Sequence, residues 1–232
     1  MPLQAVESSR LYRQIADQLR GLIAGGEFGA GARLPAERDL ARQLGVSRPS
    51  VREALIALEV EGWVEVRTGS GIYVQQSAAR APARSPANGQ AEWGPLQVMQ
   101  ARELVEGEVA ALAARNAKKA QVAGIAAALD QMEASPQEGD EAFHQAIAAA
   151  CGNEVLADTV RGYWGARHGP LFSRLGDHFD TPASWRAALG EHGAVLDAIR
   201  ARDTEAARAA MQQHLKKATA RYSASWKRAK QT

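Results

Sequence analysis

The sequence has almost no cysteine, no long apolar run and no excess of charge of one sign. Cys151 is the one cysteine among 232 residues, which excludes an internal disulfide and a CxxC metal or redox pair. No run of about 18 apolar residues is present, so no membrane-spanning helix is expected. The start, MPLQAVESSRLYRQ, lacks a basic segment followed by an apolar core, so no secretory signal is expected. The expected compartment is therefore cytoplasmic.

Opposite charges nearly cancel over the whole chain. There are 28 Lys and Arg against 26 Asp and Glu, and 46% of the residues are apolar. This composition is typical of a folded protein and excludes a largely disordered chain, which combines low hydrophobicity with high net charge. A net charge of +2 does not indicate a nucleic-acid partner, so that function has to be argued from the positions of the arginines.

A segment rich in Pro, Ala, Ser and Gly divides the chain. Residues 77–94 show neither helical nor alternating periodicity, and their prolines cannot donate backbone hydrogen bonds. The sequence therefore predicts a first domain over residues 1–76, a linker over 77–94 and a second domain over 95–232. Each of the two domains has an ordinary size for an independent folding unit.

The first domain is predicted to be a winged helix-turn-helix. Apolar residues at helical spacing begin at Leu11 and are stopped by Gly25, and a short second helix runs from Pro35 to Gly45. A third helix follows from Arg48 to about residue 61. Ser47 is expected to be its N-cap, and Pro49 fits its first turn. Two β-rich runs over 63–67 and 71–75 flank a short loop with glycine and predict a hairpin.

The second domain is predicted to be an all-helical bundle, which makes the fold class mainly α. Apolar residues recur at spacings of three and four over six segments, and strand-like alternation is absent. The segments are 96–116, 119–134, 140–150, 153–166, 183–200 and 203–226. Six or seven helices are expected. The region around His168 and His178 contains Gly and Pro and is interpreted as a loop.

Arginines gather where a helix-turn-helix would meet DNA. A reader of the major groove needs donors at the start of a helix that can enter the groove. The candidate DNA-binding residues lie on the second helix, at the start of the third helix and at the tip of the hairpin: Arg38, Ser47, Arg48, Ser50, Arg52, Arg67, Thr68 and Gly69. The alternative is a set of solvated surface arginines, since residues 1–77 contain nine arginines and nine acidic residues.

Three histidines and one aspartate have spacings that suit a metal site. Asp140 and His144 lie four apart on a predicted helix and share a face. His192 and His214 are equally far from a predicted turn near Asp203, so an antiparallel helix pair brings them level. Such ligands suit zinc, with manganese, iron or nickel as alternatives. From spacing alone, core or surface histidines without a metal remain the other interpretation.

The first domain resembles the DNA-binding domain of GntR-family transcription regulators. The resemblance rests on LPAERDLA, on GVSR-x-x-VREAL-x-x-LE-x-EG and on the GSG-x-x-V hairpin. It implies that Arg38, Arg48 and Arg52 contact DNA and that the wing tip, Thr68 and Gly69, enters the minor groove. Pro49 departs from relatives that often carry Thr, which makes Ser50 the expected phosphate donor.

The second domain resembles the FCD ligand-sensing domain found in part of that family. The matching motifs are AREL-x-E, D-x-x-FH, EH-x-x-x-L-x-AI and AM-x-x-HL. The resemblance implies a divalent metal held by residues that match the aspartate and the three histidines named above. It also implies that Arg102 points into an effector cavity. The alternative is an exposed Arg102 paired with Glu106 one turn later.

Three segments, LEVEGWVEVRTGSGIYV, GPLQVMQARELVE and DTEAARAAMQQHL, are similar to bacterial repressors of hexuronate catabolism, and this likeness extends over nearly the whole chain. It implies a sugar-acid effector bound by Arg102, Asn153, Arg186 and the metal. The expectation is therefore a homodimeric regulator, a repressor, that binds an inverted-repeat operator in double-stranded DNA. The alternatives are another hydroxy- or dicarboxylate or an acyl-CoA as effector, or a metal-dependent hydrolase or lyase with an accessory DNA-binding module. The basic residues over 216–230 are interpreted as a solvated helix end rather than a DNA contact.

Overall fold

Helices dominate the computed structural model of the chain, which describes residues 10–67, 69–76 and 93–223. Two units are distinguished, one reaching Leu96 and the other spanning Gln97–Ala224. The prediction of a winged helix-turn-helix followed by an all-helical bundle is confirmed. The domain boundaries given above stay a prediction, and residues 77–92 of the expected linker lie outside the described residues.

Three helices form the body of the first unit. They are α1 (Leu11–Ala24), α2 (Glu37–Leu44) and α3 (Arg48–Val60). Ile15, Leu19 and Ile23 of α1 are buried, as their helical spacing predicts. Leu11 and Leu22, which belong to the same sequence pattern, are exposed. Gly45 ends α2 in the left-handed conformation (φ 65°), which glycine adopts without steric cost. Ser47 then caps α3 by accepting a hydrogen bond from the Ser50 N–H at 3.2 Å, as predicted.

A two-stranded wing follows α3. Strands β1 (Val64–Arg67) and β2 (Gly71–Val74) are antiparallel, with Val64 opposite Val74 and Arg67 opposite Gly71. Alternate residues of each strand are buried, as the period of two requires. Gly71 has φ +131°, and a Cβ there would lie 2.6 Å from Nε of Arg33, so glycine is required at this position. Thr68, at the tip, lies outside the described residues.

Seven helices make up the described part of the second unit. They are α4 (Pro95–Asn116), whose first two residues belong to the first unit, α5 (Lys119–Ala134), α6 (Pro136–Ala150), α7 (Glu154–Arg167), α8 (Pro170–Phe179), α9 (Pro182–Arg200) and α10 (Thr204–Tyr222). The interpretation of the region around His178 as a loop is wrong, because α8 occupies it. Pro170 opens this helix, and Leu171, Phe172 and Leu175 form its buried side. No helix in the described part of the chain combines the length and apolarity needed to cross a membrane.

Helices α9 and α10 form an antiparallel hairpin that brings two histidines level. The connecting turn lies at residues 201–203, and the Asp203 side chain caps α10 by accepting from the Ala206 N–H at 2.9 Å. The ring centroids of His192 and His214 are 4.2 Å apart. The prediction from their equal distances to the turn is therefore confirmed.

Helices α5 and α6 are in close contact at Gly139, the residue before Asp140. A Cβ at Gly139 would overlap the backbone of Met132. Backbone atoms cannot give way as a flexible side chain can, so only glycine fits the contact that places Asp140.

We expect Gly139→Ala to lower the free energy of unfolding by about 1–3 kcal/mol, as overpacking of a close contact does. The measurement is urea unfolding followed by circular dichroism. The matched control is Gly124→Ala on α5, where a Cβ would meet nothing within 4 Å. There the better helix propensity of alanine should stabilise the protein slightly. Equal effects of the two substitutions would contradict the close-contact explanation.

Candidate nucleic-acid interface and metal centre

Four arginines line a groove in the first unit, between the start of α2 and the wing. The groove has a volume of about 340 Å³. The four arginines are Arg33, Arg38, Arg48 and Arg67. The side chain of Arg38 is 80% exposed, and Arg33 has no ion-pair partner within the described residues. The groove therefore presents guanidinium groups that solvent reaches, which is what recognition of phosphates or base edges requires.

Glu37 forms the base of this groove and holds two arginines of α3. Its buried carboxylate accepts from Nε of Arg48 at 3.0 Å. Both of its oxygens also accept from Arg52, Oε2 from Nε at 3.0 Å and Oε1 from Nη2 at 2.9 Å. One carboxylate from α2 thus fixes two guanidinium groups on successive turns of α3, and a bidentate pair of this kind has a defined geometry.

Arg52 differs from the expectation that it is free to contact DNA. Its side chain is 2% exposed and is committed to Glu37, whereas that of Arg48 is 50% exposed. The two arginines share a helix face, as their spacing predicts, but only Arg52 is buried against α2. Its burial results from packing against Glu37, which is distant in sequence, so the spacing of residues within α3 does not predict it.

The remaining predicted DNA-binding residues surround the same groove or cap α3. Ser47 and Ser50 are joined at the start of α3 through their hydroxyl groups at 2.8 Å. Arg67 donates to Glu65 at 2.9 Å and lies over the ring of Tyr73. Gly69 has φ 76° at the turn of the wing. Arg33 was not predicted as a groove residue, because it lies in the loop before α2, where no periodicity shows which side chains share a face.

The second unit buries one aspartate and three histidines in a single cluster. Asp140 and His144 come from α6, His192 from α9 and His214 from α10, and all four side chains are buried. Nε2 of His192 lies 3.1 Å from Nε2 of His144 and 3.2 Å from Oδ1 of Asp140. One atom from each residue falls within a span of 4.8 Å. The residues predicted from spacing are therefore brought together.

Each imidazole of the cluster has an acceptor at its outer nitrogen. Nδ1 of His192 donates to the Ala188 carbonyl oxygen at 2.8 Å, and this oxygen can only accept. Nδ1 of His214 donates to Glu191 at 2.8 Å, and Nδ1 of His144 donates to Glu106. A neutral ring with its proton on Nδ1 has a lone pair on Nε2. Three Nε2 lone pairs and a carboxylate oxygen therefore face one another.

The charges around the cluster favour neutral imidazoles and ionised carboxylates. Burial and the neighbouring His192 lower the pKa of His214 to about 3, and burial also lowers the pKa of His144. Burial opposes ionisation of Glu106, but Arg102 and His144 outweigh it and lower its pKa to about 2. Glu191 is lowered in the same way by His214 and Arg221, also to a pKa of about 2.

This donor set fits a divalent first-row metal ion. Two ligands that each lie about 2.1 Å from one ion are about 3.0–3.4 Å apart, close to the separations of His192 from its two neighbours. A hydrogen bond between two of the Nε2 atoms would instead require a buried, doubly protonated imidazole, which is costly. The four residues could therefore hold such an ion, which would act there as a Lewis acid toward an anionic ligand.

A small cavity beside the cluster is lined by three arginines. Arg102, Arg167 and Arg221 line it together with Asp140 and His214. Arg102 is fully buried, donates to Glu106 at 2.5 Å and lies over Trp164 with its Cζ 4.4 Å from the ring centroid. Arg102 pairs with Glu106 as the alternative expected, but it is buried at the cavity rather than exposed, and its contact with an effector stays a prediction.

Comparisons with known proteins agree with the two-part organisation. The family described as "Bacterial regulatory proteins, gntR family" matches residues 11–74, and "FCD domain" matches residues 97–217. The chain belongs to the GntR family. Its second unit contains an FCD domain, and FCD domains often bind a metal ion. The chain is therefore a DNA-binding transcriptional regulator and not an enzyme, so the hydrolase or lyase alternative is wrong.

Two curated relatives are similar over most of this GntR regulator. The Uxu operon transcriptional regulator of Escherichia coli K12 is 38% identical over 221 residues, covering 91% of this chain and 86% of the relative. The Exu regulon transcriptional regulator of the same strain is also 38% identical, covering 92% and 84%. The solved structure of Streptococcus agalactiae GntR is 25% identical and covers 92% of this chain and 100% of that one, with a TM-score of 0.47.

Two predicted effector contacts of the regulator do not line the cavity. The Asn153 side chain caps α7 by accepting from the Val155 N–H at 3.0 Å. Arg186 is exposed on α9, because it follows the cavity residue Trp185 and successive helical residues point about 100° apart. Arg167 and Arg221, which were not among the predicted residues, do line the cavity. The D-x-x-FH and EH motifs mark the cluster but neither of these arginines. Arg167 lies on α7, and Arg221 lies on α10 two turns after His214.

We expect Arg52→Ala to destabilise the regulator by about 3–5 kcal/mol, because the buried carboxylate of Glu37 would lose its bidentate partner. Urea unfolding of the full chain measures this change. The control is Arg42→Ala on α2, whose side chain is 77% exposed and pairs at the surface with Asp39. The control should change stability by less than about 1 kcal/mol. A neutral Arg52→Ala variant would argue against the internal ion pair.

Proposed function

We propose that the regulator is a homodimeric repressor that binds an inverted-repeat operator and is released from it by a small carboxylate effector in a metal-containing FCD domain. The observation that carries the proposal is the buried donor cluster beside an arginine-lined cavity, within a chain related to Uxu and Exu regulators. Two-fold symmetry of the protein would match two-fold symmetry of the operator.

Operator contact is assigned to the arginines of the groove between α2 and the wing. Arg38 and Arg48 have exposed guanidinium groups, as do Arg33 and Arg67 at the opposite side of the groove. Ser47, Ser50, Thr68 and Gly69 belong to the same proposed surface. Arg52 contributes by fixing Glu37, and hence Arg48, rather than by direct contact.

Metal binding is assigned to Asp140, His144, His192 and His214, with zinc as the first choice and manganese, iron or nickel as alternatives. Nitrogen and oxygen donors in this ratio suit all four ions, so the ligand set does not select one of them. When bound, the ion would supply positive charge to an effector carboxylate.

The charged side chains that line the cavity support an anionic effector. Arg102, Arg167 and Arg221 line it together with two carboxylates, those of Asp140 and Asp180. A divalent ion at the cluster would add positive charge beside the cavity, which an effector carboxylate would offset. The sequence likeness to hexuronate-catabolism repressors favours galacturonate, glucuronate or fructuronate. Another hydroxy- or dicarboxylate is the alternative.

The cavity has to widen to admit such an effector. Its volume is about 30 Å³, enough for about two water molecules. Typical ligand pockets are roughly ten times larger. Trp185 and Arg221 are only partly buried at its wall, so they are the side chains that we propose move. Their movement would favour one arrangement of the protein over another, which is how an effector changes operator affinity.

Arg38→Ala is expected to weaken operator binding by about 1–3 kcal/mol, because it removes an exposed guanidinium from the proposed groove. Fluorescence anisotropy with a labelled duplex, selected by the protein from a random pool, measures the affinity. Arg115→Ala, an exposed arginine of α4, is the charge-matched control and should bind as the unmodified protein does. If both variants bind equally well, the groove does not contact DNA.

Galacturonate, glucuronate or fructuronate is expected to release the metal-loaded protein from the operator. A hundredfold loss of affinity corresponds to about 2.7 kcal/mol of coupling. The same anisotropy assay is run with each sugar acid, with galactose as the uncharged control, and after removal of the metal by a chelator. The chelated protein should not respond. Release by galactose, or an equal response with and without metal, would overturn the carboxylate and metal parts of the proposal.

A further inference from the structure

Two carboxylates outside the candidate ligand set hold its histidines from behind. Glu106 on α4 is 2% exposed, and its Oε2 contacts Nδ1 of His144. Glu191 on α9 accepts from Nδ1 of His214 at 2.8 Å. Both imidazoles consequently turn Nε2 toward Asp140 and His192. An acceptor at the outer nitrogen fixes the tautomer and the orientation of a ligating histidine.

Each of these carboxylates is also held by an arginine of the cavity. Oε1 of Glu106 accepts from Nε of Arg102 at 2.5 Å. Glu191 accepts from Nη1 and Nη2 of Arg221 at 3.0 and 3.2 Å. The same arrangement, arginine to glutamate to histidine, thus occurs twice in the cluster. The arginine keeps the glutamate an ionised acceptor, which a neutral or rotated side chain would not be.

The fourth candidate ligand is held without an intermediate carboxylate. Nη1 of Arg167 donates to Oδ2 of Asp140 at 3.2 Å, which leaves Oδ1 facing the histidines. The guanidinium of Arg167 lies over Trp164, with its Cζ 4.3 Å from the ring centroid. Since the Ala188 carbonyl holds His192, the outer atom of every candidate ligand has a partner. If these side chains formed only a packed core, there would be no physical reason for four unprotonated atoms to face one another.

We propose that Glu106 and Glu191 are positioning residues that hold His144 and His214 with Nε2 directed at a shared divalent ion. The inference rests on the proposed metal site and adds to it the residues that determine its affinity. Neither glutamate contacts the ion. Each acts through its own histidine.

The test uses cobalt(II) as the probe, because its visible absorption reports the ligand set while a titration reports affinity. In the full-length protein, Glu106→Gln and Glu191→Gln are each expected to weaken cobalt binding by about 10–100-fold. The absorption band at saturation should retain the intensity expected for the same four ligands. Glu106→Asp and Glu191→Asp keep the carboxylate and should recover part of the affinity.

The matched control is Glu108→Gln, which removes a carboxylate that pairs with Arg208 at the surface of the same helix α4. Its cobalt affinity should equal that of the unmodified protein. Circular dichroism identifies any variant that fails to fold, and Glu191, at the edge of the unit, provides the second test if Glu106→Gln does so. If the unmodified protein binds no cobalt, the metal site itself fails. If the unmodified protein binds cobalt and both folded Gln variants bind it with the same affinity, the positioning role of the two glutamates is overturned while the metal site stands.

Discussion

Four electron-pair donors converge inside the second unit, and the architecture of that unit is best understood from this constraint. Nε2 atoms of two imidazoles lie 3.1 Å apart with no proton available between neutral rings that donate through Nδ1. Such an arrangement is unfavourable in a buried site unless a cation balances it. Helices α9 and α10, which supply two of the donors, are joined by a short turn, and α6, which supplies the other two, is held against α5 by the close contact at Gly139.

In the first unit a buried charge is likewise balanced by a cation, here a guanidinium group of the protein itself. Glu37 is buried at the start of α2, and Arg52 supplies the charge that makes this burial tolerable. The pair fixes α2 against α3 and leaves Arg38 and half of Arg48 accessible at the groove. Some arginines of this unit thus form buried ion pairs and others are exposed at the groove, although the sequence does not distinguish them. The near-zero charge of the first domain is consistent with this division, since several of its acidic residues hold arginines in place.

Much of this fold could be predicted from periodicity and from local signals. Helical spacing located α1 to α3, Ser47 identified the start of α3, and the equal distances of His192 and His214 from Asp203 identified their contact. The failures share a physical cause. Helix α8 is short, and its apolar residues indicate a buried face only once the bundle that they pack against is known. The burial of Arg52 and the cavity positions of Arg167 and Arg221 depend on contacts between segments that are distant in the sequence. Asn153 and Arg186 have side chains that could bind a sugar acid, but that of Asn153 caps α7 and that of Arg186 is exposed to solvent.

Nitrogen-15 chemical shifts of the three imidazoles test the account most directly, because they report which nitrogen carries the proton. In metal-free protein, His144, His192 and His214 should each carry a proton on Nδ1 and none on Nε2. Addition of one equivalent of zinc should shift the three Nε2 signals together and leave the Nδ1–H correlations in place. A proton on any of the three Nε2 atoms in the metal-free protein, or Nε2 signals that ignore zinc, would contradict the account.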